Sequence, residues 1–189
     1  MTKHTSSNIQ KPALSVSNMA LIAVMTAATC ILAPLSIQLG AIPISLTTLV
    51  IYFSLYLLGT KKATISYLVY MLLGICGLPV FSGFTGGIAK LFSNTGGYII
   101  GFLFMAVIAG LMIEKFPKQY VLHVLGMIVG TLVCYAFGTA WFMFLTKTTL
   151  MAALVACVFP FLLWDFLKIL LAVLVAPHIR KALNKAGLL

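Results

Sequence analysis

Apolar runs long enough to cross a bilayer follow one another through this chain with only short polar connections, and that pattern constrains the fold more than any motif does. A helix needs about 20 apolar residues to span the hydrocarbon. Runs of that order fall near residues 17–37, 43–60, 63–80, 97–114 and 119–139, and a sixth lies toward the C-terminus. The last apolar region, about 149–176, is too long for one untilted span and contains Pro160. Proline suits the first turn of a helix and damages its interior, so the sixth span is expected from Pro160 to about Arg180. Residues 140–159 then become a hydrophobic, partly re-entrant connection. Of the 189 residues 62% are hydrophobic and 7% charged, with mean hydropathy +1.17. One soluble core of this size cannot hide that much apolar surface. The expected fold is an all-α integral membrane protein with six transmembrane helices. Residues 1–16 form a cytoplasmic N-terminal segment, and residues 17–185 the membrane domain.

Charge sets the orientation. Twelve Lys and Arg face only two acids, Glu114 and Asp165. Lys3 and Lys11 precede the first span, Lys61 and Lys62 join spans two and three, Lys115 and Lys118 join four and five, and Arg180, Lys181 and Lys185 follow six. The opposite side carries Lys90 and Lys147. Cytoplasmic loops are enriched in cations, so both termini are expected inside. His4, His123 and His178 lie near the same ends, as expected of satisfied interfacial imidazoles rather than ligands. The basic balance reads as topology, since no basic stripe of the kind that binds nucleic acid is present. Cys30, Cys76, Cys134 and Cys157 lie in apolar stretches without a C-x-x-C pair and are expected as buried free thiols. The polar N-terminus is long for a signal peptide and lacks a clean small-residue exit, and Ala27-Ala28-Thr29-Cys30 lacks the leucine of a lipoprotein box, so the first helix is expected to be retained.

Asp165, the one aspartate, sits three residues before Lys168 inside an apolar stretch. At that spacing the two side chains share a helix face. A charge in hydrocarbon is expensive, so an intramembrane acid is read as functional, with Lys168 as its partner. The plainer alternative is an ion pair that only fixes helix packing. With three connections facing outward, 37–43, 81–96 and 140–159, the pair lies just beneath the outer surface. The middle connection holds five glycines in residues 82–97, with the pairs Gly86-Gly87 and Gly96-Gly97. Such glycines let backbone approach a ligand closely. Phe81, Phe84, Phe92 and Tyr98 supply walls, and Lys90 and Asn94 polar tips. An ordinary tight loop with packing glycines reads equally well from these residues alone.

No G-x-x-x-x-G-K-[ST] loop is present, so ATP is not used by that route. H-E-x-x-H and G-x-S-x-G are absent, and two acids leave no paired carboxylates for acid and base catalysis. No ring of acids or repeated filter suggests a channel, and no inverted repeat suggests a complete secondary transporter. Span one carries Ala20, Ala23 and Ala27 on one face, where small side chains allow close helix approach, either inside the bundle or against an outside partner.

Three motifs in order resemble one family. They are Gly77-Leu78-Pro79-Val80-Phe81 through Gly86-Gly87 to Thr95-Gly96-Gly97-Tyr98 and Gly101-Phe102, then Gly138-Thr139-Ala140-Trp141, then Pro160 with Asp165 and Lys168. Over about residues 17–185 the chain resembles the biotin-specific substrate-binding subunit of energy-coupling factor transporters, the BioY family. It departs from the family's commoner Gly-Pro at Ser93-Asn94 and from Pro-Gly at Leu163-Trp164. The resemblance implies a non-enzymatic, multi-pass protein of the bacterial plasma membrane, with a pocket near the outer face and no metal or cofactor of its own. It implies delivery of biotin by association with a transmembrane coupling subunit and two ATPase subunits. The expected ligand-binding residues are Phe84, Gly86, Gly87, Lys90, Asn94, Gly96, Gly97, Tyr98, Trp141, Asp165 and Lys168. Asp165 suits a ureido N–H, Lys168 or Asn94 the ureido oxygen, and Lys90 or Lys168 the carboxylate, with the ligand's direction left open. The resemblance also favours Ala20, Ala23 and Ala27 as a docking face for the partner. Membrane lipid is the remaining partner. A self-sufficient proton-coupled carrier titrating Asp165 is the rival reading, and a membrane enzyme a more distant one.

Overall fold

Backbone N–H and C=O groups in hydrocarbon must be satisfied within the protein, which makes helices the default for so apolar a chain. The computed structural model describes residues 16–38 and 42–187. Within them lie helices α1 (Val16–Leu32), α2 (Thr47–Leu58), α3 (Thr60–Ile75), α4 (Gly96–Lys115), α5 (Tyr120–Thr146), α6 (Leu150–Cys157) and α7 (Phe159–Lys185). Strands β1 (Ser36–Gln38) and β2 (Pro43–Ser45) pair antiparallel between α1 and α2, with Ser36 opposite Ser45 and Ile37 opposite Ile44. Lys3, Lys11 and His4 lie outside the described residues.

Three helices, α4, α5 and α7, are long and apolar enough to cross a membrane, with 20, 27 and 27 residues. The apolar α1 and α2 are shorter, at 17 and 12 residues. At 1.5 Å per residue α2 covers only about 18 Å. The expected second span at 43–60 is therefore part strand and part helix, and the expected all-helical fold contains a small hairpin. Pro43 and the hydroxyl-rich Ser45, Thr47 and Thr48 explain the difference, because proline lacks an N–H and short polar side chains compete for backbone bonds. Irregular backbone in so apolar a chain is tolerated where protein surrounds it, and Ile42, Ile44 and Thr47 are buried.

Gly59 alone joins α2 to α3. It has φ +78°, and a Cβ there would meet Glu114 Oε1 at 2.8 Å. That carboxylate accepts from Thr60 N–H at 2.7 Å and so caps α3, where an anion also complements the helix dipole. Lys61 and Lys62 consequently belong to the first turn of α3 rather than to a loop. Lys62 Nζ donates to Asn18 Oδ1 at 2.7 Å, tying α3 to the start of α1. The end of the bundle with Glu114 also holds Lys115, Lys118, Arg180, Lys181 and Lys185.

α4 and α5 form a closely packed antiparallel pair. A Cβ on Gly101 would press on Cys134, and one on Gly130 would press on the Met105 backbone. Beyond the expected fifth span, α5 continues to Thr146 and closes at Lys147 in a left-handed conformation, φ 55°. The connection expected over 140–159 is thus the end of α5 followed by α6, and Pro160 stands in the first turn of α7. His123 is buried among apolar neighbours. Its Nε2 faces the Phe116 carbonyl at 2.8 Å, an acceptor only, so Nε2 carries the proton and Nδ1 accepts from the Tyr56 hydroxyl at 3.0 Å. Cys134 and Cys157 are buried free thiols, whereas Cys30 is half-buried and Cys76 is exposed at the end of α3.

Candidate functional site

Near the end of the bundle away from Glu114, the helices and the hairpin enclose a cavity of about 690 Å³ including its mouth. The hairpin supplies Ile42, Pro43 and Ser45, α2 supplies Thr47 and Thr48, and α3 supplies Tyr67 and Tyr70. The 76–95 connection adds Phe81, Ser82 and Thr95. Tyr98, Ile99, Phe102 and Met105 come from α4, Thr131, Cys134 and Tyr135 from α5, and Phe161, Asp165 and Lys168 from α7.

The charged pair organises one wall. Asp165 and Lys168 lie one helical turn apart and are 7% and 9% exposed. Lys168 Nζ donates to Asp165 Oδ1 at 2.8 Å and to the Ser45 carbonyl at 2.8 Å. The Tyr135 hydroxyl donates to Asp165 Oδ2 at 2.6 Å. The network therefore binds α7 to α5 on one side and to β2 on the other. Charge-assisted bonds of this kind are stronger than neutral ones, and burial makes their loss expensive.

A second wall is aromatic. Tyr70 meets Phe81 edge to face, with ring centroids 5.7 Å apart, and Tyr67 meets Phe102 in the same manner at 6.2 Å. Phe81 reaches its place because Gly74 has no side chain where the ring lies. The Tyr67 hydroxyl donates to Ile99 O at 2.8 Å and the Tyr98 hydroxyl to Cys157 O at 2.8 Å, so both rings are fixed. Below them Tyr52 and Thr131 share a bond of 2.6 Å. The cavity thus offers flat apolar faces with a charged, hydrogen-bonding edge, suited to a small bicyclic or aromatic molecule carrying amide-like groups.

Of the site residues expected from sequence, Tyr98, Asp165 and Lys168 line this cavity. Gly96, Gly97 and Trp141 stand together outside it. A Cβ on Gly97 would run into Trp141, and the Trp141 indole N–H donates to Ser93 O at 3.0 Å, which holds the 81–95 loop against α5. Phe84 is 64% exposed with φ 56°. Gly86 packs on the Leu78 carbonyl, and the Gly87 N–H donates to Gly74 O at 2.7 Å. Lys90 is half-buried in the short turn Ile88–Lys90, and burial holds its pKa below the ordinary lysine value. Asn94 is exposed. Ala20, Ala23 and Ala27 are all exposed on α1. Tyr135, Tyr67, Tyr70, Thr47 and Thr48 escaped the sequence reading. Their signal was tyrosine and threonine inside apolar runs, where a hydroxyl needs a partner. Among the described residues no group of three His, Cys, Asp or Glu could hold a metal ion.

Comparison with known proteins decides the family. The sequence matches the BioY family over residues 3–185. This chain belongs to the BioY family. The biotin transporter BioY of Thermotoga maritima is 35% identical over 158 residues, covering 84% of this chain and 92% of its own. Biotin transporter BioY2 of Lactococcus lactis subsp. cremoris is 32% identical over 167 residues, covering 88% and 92%. The crystal structure of an S-component for biotin from an ECF-type ABC transporter superposes with TM-score 0.80 at 29% identity, covering 88% of this chain and 92% of that one. The family consists of transporter components rather than enzymes, in keeping with the missing catalytic motifs.

Removing one member of the charged pair strands the other in a low-dielectric site. Lys168→Met is expected to destabilise the protein by about 3 kcal/mol, and the double variant Asp165→Asn with Lys168→Met to recover much of that loss. Thermal melts in detergent of the two single variants and the double variant check this.

Proposed function

We propose that this BioY-family protein is the biotin-capturing S component of an energy-coupling factor transporter. The observation that carries the reading is the cavity in which Asp165, Tyr135 and Lys168 form a polar edge beside Tyr70, Phe81 and Phe161. Biotin has a ureido group, an apolar bicycle and a carboxylate. Asp165 accepts a ureido N–H, the third N–H of the Lys168 ammonium faces the ureido oxygen, and the rings pack the bicycle. Phe84, Gly86, Gly87, Lys90 and Asn94 stand on the loop whose two ends line the cavity, where they form the entrance. Gly96, Gly97, Tyr98 and Trp141 hold that loop in place.

The proposed topology has six crossings, by α1, α2, α3, α4, α5 and α7, in the plasma membrane of a bacterium. Both termini lie on the cytoplasmic side, which is the end that gathers Lys61, Lys62, Lys115, Lys118, Arg180, Lys181 and Lys185, as the positive-inside rule asks. The cavity then opens toward the exterior, where the vitamin is captured. Energy comes from a coupling subunit and two ATPase subunits, because the chain has no phosphate-binding loop of its own. The exposed Ala20, Ala23 and Ala27 form the face on which the coupling subunit lies, small side chains permitting close helix contact.

Calorimetric titration of the purified protein in detergent with a panel of vitamins is expected to give saturable heat with biotin. Asp165→Asn is expected to weaken that binding by about tenfold or more, ~1.4 kcal/mol. Saturation by another vitamin in place of biotin contradicts the substrate assignment. The double variant Ala23→Trp with Ala27→Trp is expected to abolish biotin uptake in cells that also make the partner subunits, while biotin affinity stays within about twofold, because the indoles hold the partner helix away without touching the cavity. A parallel loss of binding and uptake places the alanine face inside the bundle's working core. Intact uptake moves the partner to another surface.

A further inference from the structure

The end of the bundle with Glu114 holds a second opening, a cleft of about 890 Å³ including its mouth, which shares no residue with the cavity described above. One wall is the last part of α7, with Arg180, Lys181, Asn184 and Lys185, and the other carries Tyr56 of α2 and Tyr120 of α5. Residues four apart in a helix lie one above the other. Arg180 with Asn184 and Lys181 with Lys185 therefore make two adjacent rows of exposed side chains that reach the same cleft. Like charges at that spacing repel, as Lys181 and Lys185 do here.

Neither acidic side chain of the protein relieves this repulsion. Asp165 belongs to the other cavity and holds Lys168. Glu114 accepts from Thr60 N–H and does not line the cleft. The Tyr56 hydroxyl is already bonded to His123 Nδ1 at 3.0 Å. Guanidinium and ammonium groups have donors and no acceptor, so the cleft presents positive charge and N–H groups suited to an oxyanion.

The surroundings select a lipid as its carrier. Tyr120 is 52% exposed, and next to the cleft Val121 and Leu174 are 73% and 66% exposed. Val121 follows Tyr120 on α5, and Leu174 lies less than two turns before Arg180 on α7. Apolar surface thus continues from the cationic wall along both helices, as acyl chains beneath a headgroup require. Tyrosine favours the membrane–water interface, and the topology given above puts this end at the cytoplasmic leaflet, where basic pockets between helices receive anionic headgroups. A small soluble anion gains nothing from those flanks.

We propose that this cleft binds the phosphate of an anionic phospholipid. Arg180 engages two phosphate oxygens, as its planar guanidinium allows, Lys181 and Lys185 add charge, and the acyl chains lie along α5 and α7. A lipid there requires the membrane topology given above and is independent of the ligand in the other cavity.

The test adds dioleoylphosphatidylglycerol or dioleoylphosphatidylcholine to the full-length protein in detergent and follows bound lipid by native mass spectrometry. The wild type is expected to retain phosphatidylglycerol with a preference of about tenfold or more. Arg180→Gln with Lys181→Gln and Lys185→Gln is expected to lose that preference. Lys61→Gln with Lys115→Gln and Lys118→Gln takes as many cations from the same end but none from the cleft, and is expected to keep it. An equal loss in both triple variants reveals a diffuse positive end in place of a site and overturns the proposal. Equal retention of the two lipids by the wild type, or retention of neither, overturns it as well, and that arm decides the question even if a triple variant fails to fold. Inorganic phosphate in excess is expected to leave the lipid bound; displacement by it makes the cleft a site for free phosphate and contradicts the lipid assignment.

Discussion

The Lys168 ammonium is the joint on which the site depends. Its two bonds, to Asp165 Oδ1 and to the Ser45 carbonyl, both 2.8 Å, connect a helix carboxylate to the backbone of a strand 123 residues earlier. Tyr135 completes the set by holding the other carboxylate oxygen. A lone charge in hydrocarbon is costly, so each of these groups constrains the others. The hairpin has only three residue pairs, far fewer than a free hairpin needs to be stable in water. Here it is held by a cation from α7 and by burial of Ile42 and Ile44. Once it is held, α2 must begin at Thr47, and the mouth of the cavity is set.

Close helix packing provides the rest of the frame. Gly101 and Gly130 bring α4 and α5 into contact, and in a bilayer such contacts replace the hydrophobic drive available to soluble proteins. Hydroxyls from tyrosine and threonine then find partners across helices, as in the bonds from Tyr52 to Thr131 and from Tyr67 to Ile99 O. These bonds hold the rings of Tyr52 and Tyr67 in place.

How much of this could be read from the sequence differs by residue, and the reason is the range of the interaction. Asp165 and Lys168 were legible because their spacing is local to one helix and their charge is anomalous in an apolar run. Pro160 marked the start of α7 by the same local logic. Tyr135, Thr47 and Thr48 were not legible, since their roles arise from contacts between elements far apart in the chain. The glycine pair Gly96-Gly97 drew attention for the right physical reason, close backbone approach, but the approaching group is Trp141 rather than the cavity. The hairpin was hidden because three-residue strands carry no period, and Pro43 with the hydroxyls of Ser45, Thr47 and Thr48 was the local hint.

The most direct measurement of the central claim is a crystal structure with biotin bound, with the ligand's sulfur located by its anomalous scattering. The account predicts biotin inside the cavity, with a ureido nitrogen within about 3.2 Å of the Asp165 carboxylate, the limit of an ordinary hydrogen bond. Biotin seated elsewhere, with the Asp165, Tyr135 and Lys168 network untouched and the cavity filled by solvent alone, would contradict it.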